Sequence, residues 1–87
     1  MHEASVLNSL MRRIDTLARA EGATRVSAVT VWLGALSHMS PAHFREHFSI
    51  SAAGTLAAGA RLTIHQSHDL TDPQAQSILL ESIDVDE

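Results

Sequence analysis

The chain reads as an α/β (α+β) domain, a two-layer sandwich with two helices packed on a three-stranded mixed β-sheet in the order α-β-α-β-β. Three observations predict it. An apolar stripe at helical spacing fills the first quarter of the chain, and a β-branched run from Arg25 to Leu33 follows it. A Ser40-Pro41 step then opens a second helix, with two further alternating segments behind it.

The first helix spans about Ala4 to Glu21, where Val6, Leu7, Leu10, Met11, Ile14, Leu17 and Ala18 recur on one face and Gly22 offers a left-handed stop. In the first strand Val29, Val31 and Leu33 share one parity, and Gly34 ends it. Ser40 is a suitable N-cap and Pro41 suits the first helical position, so the second helix runs from Pro41 to about Ala53, with Phe44 and Phe48 one turn apart. Gly54 and Gly59 punctuate its exit. Ala60 to Gln66 alternates with Leu62 and Ile64 on one side, and Ser77 to Val85 forms the third strand. A helix joins the first two strands, which predicts a parallel pair. The last two are joined by the polar stretch His68 to Gln74, which predicts an antiparallel hairpin.

With 87 residues the chain is a single domain, 1–87, with one modest core. It contains no cysteine, which removes disulfides, thiolate zinc sites and cysteine nucleophiles together. Neither a secretory signal nor a membrane-length apolar run is visible, so a cytoplasmic protein without membrane contact is expected. The formal charge is −4, every basic residue is Arg, and the acids concentrate after His68. No basic stripe exists, which argues against nucleic acid as a partner.

Met1-His2-Glu3 is the segment richest in chemistry. The Met1 amine, the His2 amide nitrogen and the His2 imidazole can close fused five- and six-membered rings on one ion, and nitrogen-rich, near-planar donor sets suit Ni(II) or Cu(II). Against this stands the plain reading of His2 as a frayed, solvated residue at a chain end.

Four pieces occur in order: Met1-His2-Glu3 opening a helix, Gly34-Ala35-Leu36-Ser37 after the first strand, Gly54-Thr55-Leu56-Ala57 leading to Gly59-Ala60-Arg61-Leu62, and the closing Leu80-Glu81-Ser82-Ile83-Asp84-Val85. Together they resemble the HypA/HybF family of hydrogenase nickel-insertion proteins. The resemblance implies a non-enzymatic nickel metallochaperone that delivers Ni(II) to the hydrogenase large subunit beside a GTPase nickel-insertion accessory protein, or to urease with its accessory proteins. It also carries the nickel site over to Met1, His2 and Glu3, with His2 the principal ligand. A homo-oligomer is compatible with the chain. Members of the family carry a zinc module with two Cys-x-x-Cys pairs between the last two strands. Here the link from about residue 67 to 77 stands in its place, so no structural zinc is expected. The chain is read as a natural short paralogue, and a relative that docks the same partners without transferring nickel is the alternative.

His43-Phe44-Arg45-Glu46-His47 fits the H-x-x-E-H pattern of inverted zincin metallopeptidases, with both histidines on one helical face and Glu46 as a general base. An amphipathic helix with a solvated His/Arg/Glu face explains the same letters and is preferred, because Phe44 and Phe48 are the core-facing pair. His38, His43 and His47 therefore rank as weaker metal candidates, with His38 expected to face water. His65 and His68, three apart, do not share a side of an extended strand and need a turn at Ser67 to converge. Trp32, on the parity opposite Val31, is expected to serve packing or a partner surface.

Overall fold

A computed structural model describes residues 3–86. The elements run α1 (Glu3–Ala20), β1 (Arg25–Leu33), α2 (Pro41–Ala52), β2 (Arg61–Gln66) and β3 (Ile78–Asp86). Two helices on a three-stranded mixed sheet is the predicted fold class.

Helix α1 buries Leu7, Leu10, Ile14 and Ala18, the stripe that the spacing marks out. Leu17, on the flank of that stripe, remains 39% exposed. The helix ends in a Schellman motif: Gly22 at φ 70° donates its N–H to the Arg19 carbonyl at 3.0 Å, and Ala23 donates to Ala18 at 3.0 Å. At the start of α2 the Ser40 hydroxyl accepts from the His43 N–H at 3.2 Å, with Pro41 behind the cap. Phe44 and Phe48 are buried in the core, their ring centroids 6.1 Å apart.

Sheet order is β2-β1-β3, with β1 parallel to β2 and antiparallel to β3. The parallel pairing is as predicted. The hairpin expected between the last two strands does not form: β3 pairs with the far edge of β1 instead. Strand β1 is the most deeply buried of the three, with Val26, Val29, Val31 and Leu33 all inside. A β2–β3 hairpin would leave that strand at an edge with its backbone groups unpaired, whereas the observed order covers both sides of it. Little chain is needed for this, because a parallel β2 finishes beside Leu33 and an antiparallel β3 starts there, at Ile78. The link has only to cross two strand spacings, about 10 Å. Its two ends clasp the Leu33-Gly34 peptide, Ser67 N–H donating to the Leu33 carbonyl at 2.8 Å and Gly34 N–H to the Ser77 carbonyl at 2.9 Å.

Two bulges keep the apolar residues facing inward. On β1 the buried positions step by three from Val26 to Val29, and on β3 the core-packed positions step by three from Leu80 to Ile83. A period of two cannot place both members of such a step on one face. The register shifts between Val26 and Ala28, and between Thr30 and Val31, insert Ser27 and Glu81 as the extra residues. Val85, Ile83, Leu80 and Ile78 thereby oppose Val26, Val29, Val31 and Leu33 in turn.

The link is ordered by its own side chains. The Asp69 carboxylate accepts from the Thr71 N–H at 2.9 Å and the Thr71 hydroxyl at 2.7 Å, which holds its pKa below the usual aspartate value. Asp72 accepts from the Gln74 N–H at 2.7 Å, and Leu36 N–H donates to the buried Ala75 carbonyl at 2.7 Å. Among the described residues no helix is long and apolar enough to cross a membrane.

Candidate metal site

Glu3 is the first residue of α1, and the Met1 and His2 positions of the predicted nickel site lie outside the described residues. The helix that begins there is anchored from Leu7 onward, so the terminus is carried by an element fixed to the core.

Histidines 43 and 47 occupy one face of α2, as their spacing requires, and their rings stack with centroids 4.4 Å apart and planes 11° from parallel. Parallel rings direct their nitrogen lone pairs along the same course rather than toward one point. A shared ion about 2.0–2.1 Å from a nitrogen of each would require both rings to turn. Each imidazole also has an interaction beyond the stack, and Glu46 is exposed on the solvent side of the helix. Among the described residues no group of three His, Asp or Glu side chains converges as a metal-binding set. The letters of the peptidase motif are thus met on an amphipathic helix whose Phe44 and Phe48 face the core.

His38 is exposed in the β1–α2 loop, as expected of it, but its backbone is unusual: φ is 60°, the left-handed region that non-glycine residues seldom adopt. His68 is exposed in the link and makes no hydrogen bond or ion pair among the described residues. His65 does not converge with it. Its Nδ1 lies 2.7 Å from Glu81 Oε1 across the open face of the sheet, a contact the sequence reading missed. The partners are sixteen residues apart and sit on opposite outer strands, and Glu81 is a bulge residue. Only the strand order brings them together. Trp32 lies between them in the register, paired with His65 on one side and Leu79 on the other, and is half-buried on that open face.

Comparison with known proteins gives these positions a context. The model of the family described as "Hydrogenase/urease nickel incorporation, metallochaperone, hypA" matches residues 1–71. Hydrogenase maturation factor HypA of Chlorobium limicola is 42% identical over 66 residues, covering 76% of this chain and 57% of the relative. The factor of the same name from Rhodopseudomonas palustris strain BisB5 is 44% identical over 64 residues, 74% of this chain and 57% of its own. This chain therefore spans somewhat more than half the length of these relatives. In shape it is similar to the solution structure of the Ni metallochaperone HypA from Helicobacter pylori, with a TM-score of 0.80 at 21% identity, covering 98% of this chain and 97% of that one. A second solution structure of a HypA protein superposes with a TM-score of 0.74 at 20% identity, covering 98% and 96%. At those identities the likeness establishes the fold. The family match extends over most of the chain and includes its Met1-His2-Glu3 opening, and the chain belongs to the HypA family of nickel-incorporation metallochaperones, which are not enzymes.

Proposed function

We propose that this chain is a nickel metallochaperone that holds Ni(II) at Met1-His2-Glu3 and presents it for transfer during hydrogenase maturation. The observation that carries the reading is the family match, which begins at residue 1 and so takes in this tripeptide. Chemistry supports it independently. Amine, amide and imidazole nitrogens from two successive residues form a chelate that needs no pre-built cavity. A donor must also release its cargo, and an open chelate at the start of α1 is easier to hand over than a closed cage of protein ligands. The recipient is the hydrogenase large subunit, approached together with a GTPase accessory protein; urease and its accessory proteins are the second recipient class. Lacking cysteine, the chain has no thiolate zinc site, and its partners are met without one.

Calorimetric titration with Ni(II) tests this directly. One ion per chain is expected, with tight binding lost in His2→Ala and in a form extended ahead of Met1. Affinity should fall steeply as the pH is lowered, because the nitrogens must shed protons before they can ligate the metal. His43→Ala combined with His47→Ala should leave the titration nearly unchanged. Tight binding that survives both changes at the terminus would remove the tripeptide as the site. A protein that binds no nickel but still joins the maturation proteins would be a docking paralogue.

A further inference from the structure

A groove of about 910 Å³ opens between α1, the β1–α2 loop and the first residues of β3. Its volume lies within the range of ligand and peptide pockets. Val6 and Leu10 of α1, Met39 of the loop, and Ile78 and Leu80 of β3 give it an apolar floor, while Leu36 stands at its rim 36% exposed. Its charge character runs against that of the molecule. The chain carries a formal charge of −4, yet among the described residues no acidic side chain lines the groove, and Arg13 is the one permanently charged side chain that does. Arg13 makes no hydrogen bond or ion pair among the described residues, unlike Arg19, which reaches Asp15 at 2.8 Å. His38 faces the same space, held there by its left-handed backbone. A non-glycine residue kept in that region stores strain that the surrounding structure must sustain.

We propose that this groove docks an extended segment of a partner protein that combines apolar side chains with a carboxylate. The apolar floor takes the side chains. The Arg13 guanidinium, whose planar fork matches a carboxylate with two parallel N–H donors, takes the charge, and His38 supplies a further donor. Charge complementarity selects this occupant, since a basic segment would leave Arg13 facing like charge and an uncharged one would leave it unmatched. Val6 lies within the first turn after the start of α1 at Glu3, so a segment seated in the groove rests beside the end of the helix from which nickel is proposed to be passed. Docking itself does not require the metal.

The test uses the full chain, metal-free and uniformly ¹⁵N-labelled, titrated with an acetylated, amidated peptide that alternates leucine and glutamate, and with its glutamine and lysine counterparts. Amide shifts should concentrate in three stretches, residues 6–13, 36–39 and 76–80, and leave β2 unmoved. The glutamate peptide should bind about tenfold more tightly than the glutamine one, the worth of a charge-assisted hydrogen bond, and the lysine peptide should bind more weakly than either. Arg13→Ala should abolish the preference for glutamate without changing affinity for the glutamine peptide, and Leu36→Ser should weaken both. Both side chains are solvent-facing, and an unchanged circular dichroism spectrum confirms that the variants fold. The proposal is overturned if the shifts gather on the open face around Trp32, if the three peptides bind alike, or if Arg13→Ala leaves the preference intact. It is likewise overturned if sedimentation shows a dimer that Leu36→Ser dissolves, since a second copy would then be the occupant. Because nickel is absent throughout, failure here leaves the terminal site standing, and failure of that site leaves this result standing.

Discussion

The two faces of the sheet are built from the same strands and do different work. On the helix-covered face Val29, Val31 and Leu33 of β1 are essentially inaccessible and meet Leu62 of β2, Phe44 of α2 and Leu7 of α1 in one cluster. On the opposite face Thr30 and Trp32 of β1 are half-buried, and their neighbours Thr63, His65, Leu79 and Glu81 are exposed. Alternation along a strand makes the faces, but only one of them has helices to cover it. Folding free energy therefore belongs to the inner face, where packing is dense and continuous. The outer face keeps the residues that can be exchanged at little cost.

The sharpest way to break this contrast is to hollow the inner face. Phe44→Ala removes a fully buried ring and should cost about 3–5 kcal/mol. A chain of this length has roughly 4–13 kcal/mol in all, so the variant should melt more than about 10 °C below the parent or fail to fold at all. A fall of only a degree or two in thermal unfolding would mean that the inner face does not carry the fold. Treating the parent with a chelator should leave its melting curve where it was.

Gly34 tests the place where the two faces meet at the end of β1. A Cβ there would lie 2.6 Å from the Ala75 carbonyl carbon and 2.7 Å from the Gln74 carbonyl oxygen, both backbone atoms that cannot swing aside. Gly34→Ala should therefore destabilise by about 3 kcal/mol, the upper end of overpacking costs, despite the smaller entropy loss of alanine on folding. Hydrogen exchange should show the loss first at the amides of residues 34 and 36, which donate across this junction to the Ser77 and Ala75 carbonyls. A neutral effect on the melting temperature would show that the link is not clamped to β1.

How much of this was legible in the chain depends on the range of the interaction involved. Helices and strands are set by local signals, and their bounds fall within a residue or two of the predicted ones, down to the Ser40 cap and the Gly22 stop. The β2–β3 hairpin does not form because leaving a deeply apolar β1 at an edge costs more than a short polar link can offset. Val26 is buried but does not share the parity of Val29, a mismatch that signals a bulge at Ser27 and was visible as a step of three. The Arg13 groove and the His65–Glu81 contact had no such signal, since both depend on segments brought together only by the strand order. As for the candidate site, chelate chemistry and family likeness single out Met1, His2 and Glu3, and the backbone carries that reading only as far as the start of α1. His43 and His47 do meet, as their spacing says, but they stack.

The smallest expected effect lies on the open face and sharpens the contrast from the other side. His65 Nδ1 and Glu81 Oε1 are 2.7 Å apart, short enough for a strong charge-assisted bond, yet the two side chains are 59% and 40% exposed. Water competes for both groups, and two side chains must be held in one geometry, so an exposed pair of this kind contributes about 0.2–1 kcal/mol. A double-mutant cycle with His65→Ala, Glu81→Ala and the combination should return a coupling energy in that range, weakened by salt. Each single variant should melt within a few degrees of the parent. A coupling of 2 kcal/mol or more, or a loss as large as that of Gly34→Ala, would show that the bulge at Glu81 is held in register by His65. The open face would then stabilise the sheet alongside the core, and the division of labour between the two faces would not hold.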